Sequence, residues 1–159
     1  TPVITHAQPS VGTADSRVQV GSVLRDRFLL QEKISCGSMG VVYKALDRRL
    51  AEAEADQPFV AIKVLSPQLA ENGQALRALQ QEAAKTRCLV HPNIVRALDV
   101  GKEESIYYLA MEYVRGRSLR ELVEQEGQLS ELHAIYILKQ VLGALPEAHV
   151  FLGEEADAS

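Results

Sequence analysis

The chain has no tryptophan, and its five tyrosines and three phenylalanines leave aromatic residues at 5%. It has two cysteines, Cys36 and Cys88, which form no CxxC pair. Two isolated thiols exclude the disulfide framework of small secreted domains and supply no structural metal set, so a reducing, cytoplasmic setting is expected. No apolar stretch approaches the roughly 18 residues needed to cross a bilayer. Residues 1–20 lack the basic-then-apolar order of a signal peptide, so a soluble chain without a membrane segment is expected. Neither sign of charge dominates: 17 Lys and Arg stand against 21 Asp and Glu, a net charge of −4. Charges this evenly mixed build no basic face and argue against nucleic acid as a partner. What is present is an ordinary globular balance, 47% hydrophobic and 24% charged over 159 residues. That length suffices for one domain or two small lobes. The chain opens on Thr1 rather than Met, as expected of a processed chain or one cut from something longer.

Residues 1–22 mix Pro, Gly, Ser and Thr without a sustained period and are expected to form a flexible lead-in. Strand-like runs follow at Arg27 to Ile34 and Val41 to Ala45, separated by Ser-Cys-Gly-Ser-Met-Gly. The polar stretch Asp47 to Gln57 connects to Phe59 to Leu65, a continuous apolar run interrupted by Lys63 and expected to be buried on both faces. Ser66-Pro67 suits a short helix start, and a main helix is expected from about Gln74 to Cys88. His91-Pro92-Asn93 reads as a turn. Two further strands are expected at Ile94 to Val100 and Ile106 to Val114. After Gly116 the pattern is helical, with a short amphipathic helix from Ser118 to Glu126 closed by Gly127, and Ser130 capping a longer one whose apolar band is wide. The order β-β-β-α-β-β, then α-α, suggests an α+β lobe followed by the beginning of a helical one. The acidic segment 150–159 is expected to be a tail.

Two charges sit awkwardly in this pattern. Lys63 would place an ammonium on or near a sheet core, and Glu82 lies beside the apolar stripe of the main helix. Each is costly alone, and they would satisfy one another if helix and sheet pack together. The bland alternative is that both reach solvent as ordinary surface charges. The loop Ser35-Cys36-Gly37-Ser38-Met39-Gly40 is a third element, because small residues between two strands let backbone N–H groups approach a phosphate.

Together, Ile34 to Lys44 (ISCGSMGVVYK), Val60-Ala61-Ile62-Lys63, Glu82, His91-Pro92-Asn93-Ile94-Val95 and Met111-Glu112-Tyr113-Val114 stand in the order found in protein kinases. The chain resembles the small lobe of a bacterial-type serine/threonine protein kinase over roughly Val23 to His149. The resemblance implies an ATP-binding lobe at 23–114, built as a five-stranded antiparallel sheet with one main helix, then a hinge exit and the first two helices of an incomplete helical lobe at 115–149. It also implies an ATP site: Ile34, Ser35, Cys36, Gly37, Ser38, Met39 and Gly40 over the phosphates, and Val42 and Ala61 on the adenine faces. Lys63 would reach the α- and β-phosphates and be held by Glu82. Met111 would be the gatekeeper, with the backbone of Glu112 and Val114 on the adenine edge. Plain core packing is the alternative for Val42, Ala61 and Met111.

The sequence departs from the family pattern in two respects. The first glycine of G-x-G-x-x-G is Ser35; if that position needs a left-handed backbone, serine costs about 1–2 kcal/mol, roughly tenfold in nucleotide affinity. The H-R-D loop, its Asn and the D-F-G that hold base and magnesium in the family are absent from these 159 residues. Asp99-Val100-Gly101 has similar spelling but precedes the hinge and reads as a turn. The resemblance thus implies ATP as ligand, magnesium in the intact parent kinase with no ligands for it here, and protein substrates of that parent. Catalytic inactivity is expected of this chain alone. The other reading is a non-catalytic, pseudokinase-like scaffold whose exposed helix face is covered by a partner.

Overall fold

The computed structural model describes residues 17–87 and 89–153, without the side chains at 75, 78, 79, 82, 85, 86 and 150–153. Alternation along the strands sets the architecture, since successive side chains point to opposite faces. The elements run β1 (Val23–Leu24), β2 (Phe28–Gly37), β3 (Gly40–Asp47), α1 (Arg48–Glu52), β4 (Phe59–Leu65), α2 (Pro67–Glu71), α3 (Gly73–Thr86), β5 (Ala97–Glu103), β6 (Ile106–Glu112), α4 (Leu119–Glu126) and α5 (Glu131–Gly153). The strands form one antiparallel sheet in the order β1-β2-β3-β4-β6-β5. The five expected strands are β2 to β6, and the two-residue β1 adds a sixth at the edge.

One face of the sheet carries the core. Val41, Tyr43 and Ala45 of β3, Val60, Ile62 and Val64 of β4, and Tyr108 and Ala110 of β6 cluster with Phe28 and Leu30. The Phe28 and Tyr108 rings meet edge to face at 5.8 Å. In β4 the core face is fully buried, whereas Phe59 and Lys63 on the other face are only partly so. Ala61 and Leu65 on that second face are buried as well, so the expectation of burial on both faces holds except at Phe59 and Lys63.

Several local expectations are corrected. The flexible lead-in expected over residues 1–22 does not hold where the chain is described, because Val18 is buried in the core and its carbonyl accepts a hydrogen bond from Tyr43 Oη at 3.2 Å. Gly21 N–H donates to Leu30 O at 2.7 Å and Leu30 N–H to Ser22 O at 2.9 Å, so the sheet edge supplies the order that composition did not advertise. Residues 1–16 lie outside the described residues, as do Cys88 and the segment 154–159 of the expected tail. The polar connector after β3 begins as helix α1, capped by Asp47 Oδ1 accepting from Arg49 N–H at 3.1 Å. Strand β5 starts at Ala97, three residues later than the expected Ile94, because Ile94 N–H closes a turn onto His91 O at 3.1 Å. Asp99-Val100-Gly101 is strand, not turn. Gly101 pairs with Tyr108, and a Cβ there would collide with the buried Tyr108 ring.

The helices follow their sequence signals. Leu76 and Ala83 of α3 are buried, and this helix packs against β5. Helix α4 opens on a capping box in which Ser118 N–H donates to Glu121 Oε2 at 2.6 Å and Glu121 N–H to Ser118 Oγ at 3.2 Å. The Ser118 N–H and the Ser118 hydroxyl, which donates to Glu121 Oε2 at 2.8 Å, hold the Glu121 carboxyl below the usual glutamate range. Asn93, in the turn after α3, donates from Nδ2 to Gln140 O at 3.1 Å and to Gln140 Oε1 at 2.8 Å, pinning α5 to the sheet-bearing half.

The strongest polar contact in the sheet was not anticipated. Arg27 of the β1–β2 turn meets Asp47, which is 1% exposed, through Nε at 3.0 Å to each carboxylate oxygen and Nη2 at 2.6 Å to Oδ2. Breaking a buried pair leaves an uncompensated charge, and the 29% exposure of Arg27 softens the penalty here. Asp47→Ala is expected to lower unfolding free energy by about 2–4 kcal/mol, and Arg27→Ala/Asp47→Ala by clearly less than the sum of the single changes, in urea titrations.

Candidate functional site

Strand register places the predicted residues. Val42 of β3 lies opposite Lys63 of β4, which lies opposite Leu109 of β6. One pleat further along, Lys44, Ala61 and Met111 are opposite one another. Residues two apart share a face, so Val42, Ala61, Lys63 and Met111 line the face away from the core. Leu109 belongs to the same face and was missed; its parity with Met111 in Ile106 to Glu112 was the signal. Lys44 lies over the Phe59 and Tyr113 rings at 4.5 and 5.3 Å, closing the hinge end of this face with cation–π contacts.

Above this face the β2–β3 hairpin folds over. Its register shifts between Leu30 and Glu32 and again between Lys33 and Ser35, and the strand beyond Leu30 is exposed. Such bulges bend and twist a ribbon out of the sheet. Gly37 pairs with Gly40 around Ser38 and Met39. The tip is tied down by Ser66 N–H donating to Met39 O at 3.0 Å. Gly40 has φ +137°, and a Cβ there would overlap the Val64 carbonyl oxygen, so both conformation and space demand glycine. Gly37 has open space around its Cα.

Beneath the loop is a cleft of about 270 Å³ lined by Ser35, Cys36, Gly37, Ser38, Met39, Gly40, Val42 and Lys63. Lys63 is half-buried, and its Nζ donates to Met39 Sδ at 3.6 Å. A thioether is a weak acceptor, so an anionic oxygen entering the cleft would displace it readily. Small residues, an exposed loop backbone and one ammonium fit a polyphosphate group. Among the described residues no cluster of three or more His, Cys, Asp or Glu is placed to hold a metal ion.

The remaining predicted residues are less gathered. Ile34 sits at the second bulge, 47% exposed and outside the cleft lining. Ser35 is paired with Val42 in β2 and is not among the left-handed residues, so the expected backbone penalty of a serine there does not arise. Glu112 ends β6, its N–H donating to Arg96 O at 3.1 Å, and Val114 beyond it is exposed. Residue 82 is on α3, and the Glu82 side chain, with its expected pairing to Lys63, lies outside the described residues.

A lysine on a central antiparallel strand, under a small-residue hairpin and beside a strand leading to a hinge, defines a nucleotide lobe of the kinase kind. Residues 28–151 match the protein kinase domain, and the chain belongs to the protein kinase family. It is 35% identical over 130 residues to the serine/threonine-protein kinase PrkC of Bacillus subtilis, covering 82% of this chain and 19% of PrkC. It is 35% identical over 136 residues to the serine/threonine-protein kinase PknA of Mycobacterium tuberculosis, covering 82% of this chain and 30% of PknA. Among solved structures it is similar to the Mycobacterium tuberculosis PknI kinase domain, with a TM-score of 0.70 at 26% identity, over 83% of this chain and 51% of that one. The chain thus spans less than a third of these curated relatives and about half of a kinase domain. An accidental likeness in an unrelated α+β domain is excluded by this match.

The two loop glycines should respond differently. Gly40→Ala is expected to destabilise the chain by about 2–3 kcal/mol through backbone overlap and strain, whereas Gly37→Ala should melt within a degree or so of the parent. Differential scanning calorimetry of both variants checks this.

Proposed function

We propose that this chain is the nucleotide-binding portion of a serine/threonine protein kinase whose parent reaction transfers the γ-phosphate of ATP to a protein serine or threonine. The observation that supports this most is the position of Lys63, half-buried under the 35–40 loop and sharing a sheet face with Val42, Ala61 and Met111. In this reading Val42 and Ala61 sandwich the adenine, Met111 closes the back of its pocket, and the backbone of Glu112 and Val114 bonds its edge. Loop N–H groups from Ser35 to Gly40 hold the phosphates. Lys63 binds the α- and β-phosphates and is oriented by Glu82. Magnesium, with ATP the cofactor of the parent reaction, would neutralise charge between the phosphates; the side chains that hold it in the family have no counterpart here.

The 159-residue chain by itself is then a binder, not a catalyst. Phosphoryl transfer depends on positioning and charge stabilisation, and without an H-R-D aspartate, its asparagine and a D-F-G aspartate neither is available at the γ-phosphate. Titration with a fluorescent ATP analogue should show saturable binding weakened at least tenfold by Lys63→Met, with both proteins equally stable. Magnesium-dependent transfer from radiolabelled ATP to a general protein substrate should stay at background. Indifference of binding to Lys63→Met would overturn the site, and transfer by the purified chain would overturn the inactivity.

The scaffold reading rests on α5. Leu132 is 81% exposed, and Tyr136, Leu138, Val141, Leu142 and Leu145 are all more than half exposed. Apolar side chains in this number on one helix are a surface to be covered. Sedimentation velocity across a concentration series is expected to show self-association, suppressed by Leu142→Glu or Ile135→Glu. A monodisperse monomer throughout would remove this reading.

A further inference from the structure

A second concave site lies on the other side of the sheet from Lys63. Arg25, Arg27 and Arg49 surround a basin of about 160 Å³ whose other walls are Phe28, Asp99 and Tyr108. Tyr108 projects to the core face, opposite in parity to Leu109, so the basin does not communicate with the cleft through the sheet.

Its three guanidiniums are held in different ways. Arg27 is locked against Asp47 and lies over the Phe28 ring at 4.6 Å. Arg25 sits at the first of two consecutive left-handed residues, with φ of 49° at Arg25 and 52° at Asp26, closed by Arg27 N–H donating to Leu24 O at 3.0 Å. That turn form favours Asn-Gly, and Arg-Asp adopts it at a cost. The Arg25 N–H is anchored to Glu103 Oε2 at 2.8 Å, and its side chain lines the basin with Tyr108. Arg49 is presented by α1, whose start is fixed by Asp47. Asp47 therefore organises two walls of the basin from behind while being buried itself.

The lining itself carries three guanidiniums against the one carboxylate of Asp99, with the Asp47 and Glu103 carboxylates adjoining it. Asp47 is spent on Arg27, and Asp99 has Oδ1 engaged by the Val100 N–H at 2.9 Å. Arg25 and Arg49 are both exposed, on a chain whose net charge is −4. Guanidinium forks suit tetrahedral oxyanions. The basin is about the size of one such group and too small for a nucleotide. Asp99 repels any anion that enters, so the attraction must come from the guanidiniums at the opening, and that attraction grows with the charge of the ligand.

We propose that the Arg25–Arg27–Arg49 basin is a binding site for a phosphate monoester dianion, as carried by a phosphorylated serine or threonine side chain. It is separate from the nucleotide cleft and does not depend on what the cleft binds.

The experiment is an amide-resolved NMR titration of the full 159-residue chain with a short phosphoserine peptide, its unphosphorylated form and inorganic phosphate. Saturable shifts are expected at residues 25–27, 48–49 and 99 with the phosphopeptide and not with the unphosphorylated peptide. Equal shifts with inorganic phosphate would support the anion site and make the free ion its ligand. Arg25→Ala/Arg49→Ala spares the Arg27–Asp47 pair, should keep the parent melting temperature, and is expected to weaken phosphopeptide binding at least tenfold. Shifts confined to residues 35–40 and 63, no shifts at the basin, or unaltered affinity in the double variant would each overturn the proposal. Should the double variant unfold, Arg25→Lys/Arg49→Lys replaces it: retained charge without the planar fork should still weaken binding severalfold, and unchanged affinity would count against the site.

Discussion

The pairing of β4 between β3 and β6 decides which side chains meet the cleft and which meet the core. With Val42 opposite Lys63 and Lys63 opposite Leu109, Val60, Ile62 and Val64 point to the buried face. A slip of one residue would exchange the sets, putting an ammonium among Tyr43, Tyr108 and Phe28 and exposing three β-branched side chains. That alternative loses both the apolar burial and the solvation of the lysine. The register is therefore held by the same free energy that forms the core, and the cleft is positioned as a by-product of packing.

The hairpin above the cleft is under a different constraint. Regular pairing along its whole length would keep it in the plane of the sheet. The register shifts on either side of Glu32 and Lys33 release β2 from that plane, and every residue from Gln31 to Gly37 is exposed as a result. The tip is then caught again by the Ser66 N–H on Met39 O and by the close seat of Gly40 on Val64. An overhang fixed at both ends makes a roof, and the space under it is the cleft.

Two partly buried cations sit in this sheet and are treated in opposite ways. Arg27 has a buried carboxylate with three short hydrogen bonds, and its charge serves the fold. Lys63 is partly buried with a thioether as its neighbour, a contact that gives up little when replaced. A pair as well made as the first cannot be redirected to a ligand without loss, whereas the second can. The sequence made Lys63 conspicuous because it interrupts an apolar run. Arg27 and Asp47 stayed unremarkable because each lies at a strand end among other polar residues, and their pairing depends on a register carrying two bulges. Val18, Asn93 and Gly101 were obscure for the same reason: each is explained by one distant partner, namely Tyr43, Gln140 and Tyr108. Strand alternation and motif order were legible because they are local.

The altered loop motif shows how family spelling and physical need separate. The family pattern asks for glycine at 35, 37 and 40, yet the backbone asks for it at 40 alone, where φ is positive and the Val64 carbonyl leaves no room. Position 35 is ordinary strand paired with Val42, a conformation any L-residue adopts. Serine there leaves the fold untouched, so its effect can only be on what approaches the loop from below: a Cβ and hydroxyl beside the N–H groups in place of bare backbone. A hydroxyl can itself donate to a phosphate oxygen, and the substitution exchanges close backbone approach for a side-chain donor. It changes the chemistry offered to a ligand, while the shape of the loop is set by Gly40, the bulges and the tie from Ser66.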